Sequence, residues 1–227
     1  IYAYGEGSEI VVNNSEFTDN IANVGSAIFV ENVDSLTVDN SVFDGNPAAI
    51  QIVSVYGAVI TSSYFTDCGD AVTIDADSIA TIEDSTFEGD DYPIYNYGVL
   101  SFSENILDNP IYNEGFITSP VYSVVMGNET YITLDAEFPI KATLTDDNGN
   151  LIYDPDFTFL INGINVDFTG YEDGLYTGIC EVGFDENIYY VSVDDESYAD
   201  MDIQIGIIRN GNVGTYTDLQ GKINAAI

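Results

Sequence analysis

Apolar and polar residues alternate along the first half of the chain in short bursts, and the bursts recur. Ala27-Ile28-Phe29-Val30 returns as Ala49-Ile50-Gln51-Ile52 and again as Ala71-Val72-Thr73-Ile74. Leu36-Thr37-Val38 returns as Ala58-Val59-Ile60 and Ala80-Thr81-Ile82. Ser15-Glu16-Phe17-Thr18-Asp19-Asn20 returns as Ser41-Val42-Phe43-Asp44-Gly45-Asn46, Ser63-Tyr64-Phe65-Thr66-Asp67-Cys68 and Ser85-Thr86-Phe87-Glu88-Gly89-Asp90, with a worn copy at Asn105-Ile106-Leu107-Asp108-Asn109. Phe43, Phe65 and Phe87 are 22 residues apart, as are Ala27, Ala49 and Ala71. Alternation over four or five residues puts every second side chain on one face, which is the pattern of a half-buried strand. Three such strands per period, separated by Gly, Asn, Asp and Ser, predict a parallel β-helix rising about 4.8 Å per coil.

The inward positions of such a helix form columns. Phe17, Phe43, Phe65, Phe87 and Leu107 make one. Ile28, Ile50, Val72 and Ile94 make a second, and Val12, Val38, Ile60 and Ile82 a third. Phe29, one position out of phase, points outward. Phe17 and Phe43 are 26 residues apart, but Ala27 and Phe43 keep the spacing of later coils. The extra residues therefore lie between Asn20 and Ala27, in a turn, where insertions leave a solenoid core intact.

The period fades after Phe102, and a domain boundary is expected after Thr118. From residue 119 to 209 the strand-like runs are longer and no longer echo one another. Asp147-Asn148-Gly149-Asn150 reads as a hairpin turn, because Asn-Gly accepts positive φ. Seven or more strands with turns every 8 to 12 residues predict an antiparallel sandwich of immunoglobulin type. Residues 210–227 read as a linker and the start of a further domain, with a short helix from Thr217 carrying Leu219, Ile223 and Ile227 on one face. The expected fold is all-β: a right-handed parallel β-helix over residues 1–118, then an Ig-like β-sandwich over 119–209. The opening residues Ile1-Tyr2-Ala3-Tyr4 already read as part of a coil, so a fragment of a longer protein is expected.

Charge narrows the partners. The chain carries 39 acids against three Lys and Arg, a net charge of −36, and residues 1–118 hold 20 acids with no Lys, Arg or His. Such a surface repels nucleic-acid phosphates and anionic lipid headgroups, and suits cations, basic partners or neutral sugars. It also makes a highly soluble exterior. With the repeats in register, the carboxylates are expected to stack coil on coil, so that added salt stabilises the fold. No run of eighteen apolar residues is present, so no membrane insertion is expected of this chain.

The chemistry on offer is sparse. Without His there is no Ser-His or Cys-His nucleophile pair. Without Lys or Arg the β-helix has no residue for the proton abstraction of polysaccharide lyases. Glycoside hydrolysis needs two carboxylates in a cleft, and Asp67 with Asp70, or Asp90 with Asp91, supply the residue types. Asp in tight bends also caps its own backbone. Calcium is the one cofactor considered: Asp75 and Asp77 project from the same side of one segment and Asp90 and Asp91 are adjacent, although no spacing matches a calcium loop. Asn13 and Asn128 head N-glycosylation patterns. Cys68 falls where other repeats have Asn20, Asn46 and Asp90, and with Cys180 is expected as a buried free thiol. Tyr92, Tyr95, Tyr97 and Tyr112 cluster in the last coils, where they are expected to cap the solenoid end. Lys141 reads as an exposed Lys guarding a strand edge.

Phe17-Thr18-Asp19-Asn20, then Ala22, then Gly25-Ser26-Ala27-Ile28, is similar to the Phe-x-x-Asn and Gly-Gly-Ala-Ile repeats of polymorphic outer-membrane adhesins. The chain resembles still more the adhesin-like surface proteins of methanogenic archaea, strongly acidic proteins that join β-helix repeats to Ig-like modules. Ser26 stands where the motif has its second Gly. The tail Gly214-Thr215-Tyr216-Thr217-Asp218-Leu219-Gln220 resembles the segment that opens a fresh β-helix in such proteins. The resemblance implies a non-catalytic, extracellular, cell-surface or cell-wall protein. Its expected partners are other cells, glycans or surface proteins, it is expected to be a monomer, and it carries over no binding residue. The alternatives are a purely structural stalk or spacer, and a carbohydrate-active enzyme.

Overall fold

The computed structural model describes residues 1–89, 92–118, 121–126, 137–146, 148–157, 159–161, 164–166, 168–172, 174–181, 188–192 and 205–208. The chain forms two compact units, the first comprising residues 1–122, 144–156 and 196–200. In the first unit three parallel sheets of seven, six and five strands run side by side along a solenoid. The first sheet orders Tyr2–Tyr4, Ile28–Glu31, Ala48–Val53, Asp70–Ile74, Tyr92–Asn96, Ile111–Asn113 and Ile152–Tyr153. The second runs from Glu9–Asn13 through Ser35–Asp39, Ala58–Thr61, Ile79–Glu83 and Val99–Ser103 to Phe116–Ile117. The third stacks Glu16–Thr18, Val42–Asp44, Tyr64–Thr66, Thr86–Glu88 and Ile106–Leu107.

The registers are those of the repeat. Phe43 pairs with Phe65, and Phe65 with Phe87. Phe17 stacks on Phe43 with ring centroids 5.0 Å apart, and the next two pairs are 4.7 Å apart and within 5° of parallel. That spacing is the strand separation itself, so identical residues at identical positions stack without adjustment. The residues between Asn20 and Ala27 leave the coil and rejoin it at Ala27, whose N–H donates to the Ala49 carbonyl.

The corners explain the Gly, Asn, Asp and Ser punctuation. Between the second and third sheets Asn14, Asn40, Ser62, Asp84 and Glu104 all hold φ between 46° and 56°. After the third sheet Asp19, Gly45, Asp67 and Gly89 do the same, with φ of 51°, 65°, 49° and 81°. The left-handed region favours Gly and, among the others, short polar side chains. A buried ladder runs beside these corners. The N–H groups of Ser15, Ser41 and Ser63 each donate to the next serine Oγ at 3.2 Å, and Ser85 N–H donates to Asn105 Oδ1 at 2.9 Å. Buried backbone donors are thereby satisfied.

Cys68 occupies the corresponding place of Asn46. Asn46 Nδ2 donates to the carbonyls of Phe17 and Asp44 at 2.8 and 3.1 Å, whereas Cys68 Sγ reaches those of Phe43 and Thr66 at 3.6 and 3.5 Å. A thiol is the weaker donor. Cys68→Asn should therefore raise stability by about 1 kcal/mol; a lower melting temperature for that variant would show that the site cannot hold an amide. Cys68 is buried, and the Cys180 side chain lies outside the described residues.

The expected coil-on-coil stacking of carboxylates is not what the registers produce. Asp39 pairs with Thr61 and Thr61 with Glu83; Asp44 pairs with Thr66 and Thr66 with Glu88. Asp19, Gly45, Asp67 and Gly89 alternate in the same way along their corner. Acids thus alternate with neutral residues, and Thr61 Oγ1 donates to Asp39 Oδ1 at 3.0 Å. Two coils separate the charges by roughly 10 Å, about the Debye length at 0.1 M salt. Asp84 with Glu104, and Glu88 with Asp108, lie in neighbouring coils and are exceptions.

After Ile117 the chain leaves the solenoid and comes back. Ile152–Tyr153 adds a seventh parallel strand to the first sheet, pairing Ile111 with Ile152 and Tyr112 with Tyr153. Asn150 continues the ladder, accepting from Leu107 N–H at 3.3 Å and donating to the Asn105 carbonyl at 3.1 Å. The turn before it is held by the buried Asp146, whose Oδ1 accepts the N–H groups of Asn148 and Asn150 at 2.9 and 2.8 Å. The first unit therefore includes residues beyond the expected boundary at 118, and the turn that ends at Asn150 delivers a β-helix strand.

The second unit comprises residues 123–143, 157–195 and 201–227. The strands beyond the solenoid belong to two four-stranded sheets. One orders Val121–Met126, Glu137–Asp146, Leu175–Glu181 and Phe168–Glu172; the other orders Ile164–Val166, Phe159–Ile161, Ile188–Ser192 and Ile205–Ile208. Glu137–Asp146 pairs antiparallel with Leu175–Glu181. Lys141 thus lies on an interior strand of its sheet, not on an edge. The helix expected from Thr217 lies outside the described residues.

Candidate functional site

The first sheet turns one residue in two outward, and its register aligns them. Tyr2, Phe29, Gln51, Thr73, Tyr95, Tyr112 and Tyr153 form a single row along the solenoid. The row begins with a stacked pair, Tyr2 on Phe29 at 5.3 Å, passes over Gln51 and Thr73, and ends in tyrosines. Beside those tyrosines stand Tyr92 and Tyr97. Tyr95 and Tyr112 have ring centroids 5.1 Å apart, Tyr112 and Tyr153 5.5 Å, and Tyr92 and Tyr112 5.6 Å. Tyr97 stacks on Tyr95 at 6.5 Å and is the most exposed of the five, with 38% of its surface open.

Local sequence dictates this. In Tyr92-Pro93-Ile94-Tyr95-Asn96, Ile94 and Asn96 point inward and are fully buried, so Tyr95 must point out. Asn96 closes the strand: its Nδ2 donates to Asn113 Oδ1 at 2.6 Å, and its Oδ1 accepts Gly98 N–H at 3.2 Å. Gly98 and Gly115 follow at the corner. A Cβ on Gly98 would meet the carbonyl oxygens of Asp75 and Ser78, and one on Gly115 the carbonyl oxygen of Gly98. The two glycines let successive corners approach closely and carry Tyr97 at the edge of the face.

Carboxylates border the rings. Tyr112 Oη donates a short hydrogen bond to Glu114, which is exposed. Asp70 pairs in register with Tyr92. The hydrogen bond to Glu114 pushes the Tyr112 hydroxyl far above the usual tyrosine range, with burial adding to it. Burial raises Tyr97 as well, followed by the charges of Glu114 and Asp70. At neutral pH these hydroxyls are therefore protonated donors, not bases.

Tyr92, Tyr95, Tyr97 and Tyr112 lie on a lateral face of the solenoid, which corrects the expectation that they cap its end. Tyr153 belongs with them. Nothing in the sequence period points to it, since the period has stopped before it is reached.

Of the acids considered as calcium ligands or as hydrolytic carboxylates, Asp75 and Asp67 serve a turn and a corner of the solenoid. Asp75 Oδ1 accepts from Ser78 Oγ at 2.6 Å, Ser54 N–H at 3.1 Å and Asp77 N–H at 3.2 Å, the work of a turn residue. Asp77 lines a separate groove of about 580 Å³ with Glu6, Asp34, Ser54 and Tyr56. Asp67 holds a left-handed corner position against Gly89. Among the described residues no group of three or more Cys, Asp or Glu is arranged to hold a metal ion. Asp90, Asp91 and Asn128 lie outside the described residues, and Asn13 is exposed at the end of a second-sheet strand. The melting temperature should rise with added salt only up to about 0.1 M, and calcium matched to sodium in ionic strength should do no better. A saturable calcium gain would require ligands outside the described set.

Stacked parallel sheets with repeating inward columns make this a β-helix repeat protein. The chain belongs to the family described as the right handed beta helix region, whose model matches residues 1–135. No curated protein and no solved structure matches the chain closely. No helix among the described residues is long and apolar enough to cross a membrane, which says nothing of a β-barrel.

Proposed function

We propose that the chain is part of a non-catalytic, extracellular surface protein that attaches to glycans, other cells or surface proteins. It would be of the adhesin-like kind that its repeats resemble in methanogenic archaea. The observation that carries this reading is the tyrosine face: five rings on the outward side of a rigid parallel sheet, bordered by hydrogen-bonding hydroxyls and carboxylates. Aromatic faces beside a few polar groups suit sugar rings, which present apolar C–H faces and polar edges. A rigid solenoid holds such a face without ordering cost at the moment of binding. The two antiparallel sheets after it are proposed to form an Ig-like spacer, and the chain to act as a monomer.

β-Helix domains also occur in carbohydrate-active enzymes, and the same face would then hold substrate. Attachment is favoured because the Tyr97 and Tyr112 hydroxyls, both raised above the usual tyrosine range, stay protonated at neutral pH and do not act as bases. The test is binding of the chain to a glycan array, followed by incubation with each captured glycan. Saturable binding that Tyr97→Ala weakens, with the glycan recovered intact, is expected. Depolymerisation would overturn the non-catalytic reading, and an array without a single saturable hit would overturn glycan attachment.

A further inference from the structure

Tyr97 is the most exposed ring of the tyrosine face, and the carboxylates of Glu114 and Asp70 both act on its hydroxyl. Glu114 follows Tyr97 in the next coil, because its N–H donates to the Asn96 carbonyl at 2.9 Å. No Lys, Arg or His occurs in residues 1–118, so these coils carry no cationic side chain that would repel a cationic ligand. Two attractions therefore coincide at one corner. A ring face attracts a cation through its quadrupole, and the carboxylates attract it by charge. A uronate, sulfate or phosphate meets repulsion from the same groups.

We propose that the tyrosine face takes an amine-bearing glycan, with a protonated amino group held at the Tyr97–Glu114 corner and sugar rings laid on Tyr95 and Tyr112. This rests on the glycan-attachment reading and names its ligand class. A basic peptide would bring the same charge, but it fits less well. The strands Tyr92–Asn96 and Ile111–Asn113, which carry Tyr95 and Tyr112, are each hydrogen-bonded to a neighbour on both sides, so strand addition by a peptide is closed at those rings. Flat rings recurring on successive strands, with Thr73 and Gln51 continuing the row, instead match a linear chain of rings that carry hydroxyls.

The test uses the full chain and three probes in calorimetric titrations at low salt: a glucosamine oligomer with one protonated amine per ring, the same oligomer N-acetylated, and a galacturonate oligomer. The amine oligomer should bind about tenfold more tightly than the N-acetylated one, equivalent to about 1.4 kcal/mol. The advantage should shrink as salt rises, and the galacturonate oligomer should not bind. Tyr97→Ala should weaken both amine and N-acetylated oligomers. Glu114→Gln, at an exposed position, should remove most of the amine advantage. Glu16→Gln, which deletes an exposed charge on the third sheet, should leave the advantage intact and so exclude a general pull by the acidic surface. Equal affinities for the amine and N-acetylated oligomers, or an advantage that survives Glu114→Gln, would overturn the amine inference and leave glycan attachment standing. Preferred binding of galacturonate would overturn the inference too. A chain that binds none of the three would overturn the amine inference, and the glycan array then decides the attachment reading.

Discussion

Replacing Phe65 with Ala should destabilise the β-helix by about 3–5 kcal/mol, read as a lowered midpoint of urea unfolding. Phe65 is fully buried, with Phe43 and Phe87 each 4.7 Å away, ring on ring. Deleting the ring opens a cavity between two neighbours that cannot close on it. Phe43 and Phe87 lie on parallel strands paired to the strand of Phe65, and the Ser41, Ser63 and Ser85 ladder fixes the spacing beside them. Phe29→Ala is the control. Phe29 is half-buried on the outward side and stacks only on Tyr2 among the described aromatic pairs, so its loss should cost about 1 kcal/mol. Equal losses at the two positions would mean that the inward and outward faces of the first and third sheets are misassigned.

The inward columns were legible because each position is stated several times. Phe17, Phe43, Phe65 and Phe87 report the same environment independently, and their spacing alone fixes the register. The alternation of acids was legible too, in Asp44, Thr66 and Glu88, once the columns are read one position at a time instead of by counting charge. What a period does not supply is the meaning of an outward position. Tyr95 and Tyr112 are outward by parity, but whether they close an end or line a face depends on which strand follows them. That strand is Ile152–Tyr153, about forty residues later and outside the period. The turn before it shows the same limit. Asp146 to Asn150 carries strong turn chemistry, and turn chemistry is local: it reports that the chain bends, and is silent on whether the next strand joins a sandwich or a solenoid.

Ile152→Ala is therefore the informative variant at that end, with an expected loss of about 2–5 kcal/mol. Ile152 is 1% exposed and extends the column of Ile28, Ile50, Val72, Ile94 and Ile111 by one more coil. Hydrogen exchange separates this from damage elsewhere. Ile111 N–H donates to the Leu151 carbonyl at 2.8 Å, and Leu107 N–H to Asn150 Oδ1 at 3.3 Å. Both amides should lose protection in the variant, while amides deep in the solenoid, such as Tyr64 N–H on the Ser41 carbonyl, keep theirs down to global unfolding. Asp146→Ala should act on the same amides without touching the core, because it releases the turn that presents Asn150. If residues 144–156 folded only with the strands of the second unit, as a boundary at 118 requires, neither variant would change protection at Leu107 or Ile111. The tyrosine face would then end at Tyr112, and Tyr153→Ala would leave glycan binding unaltered.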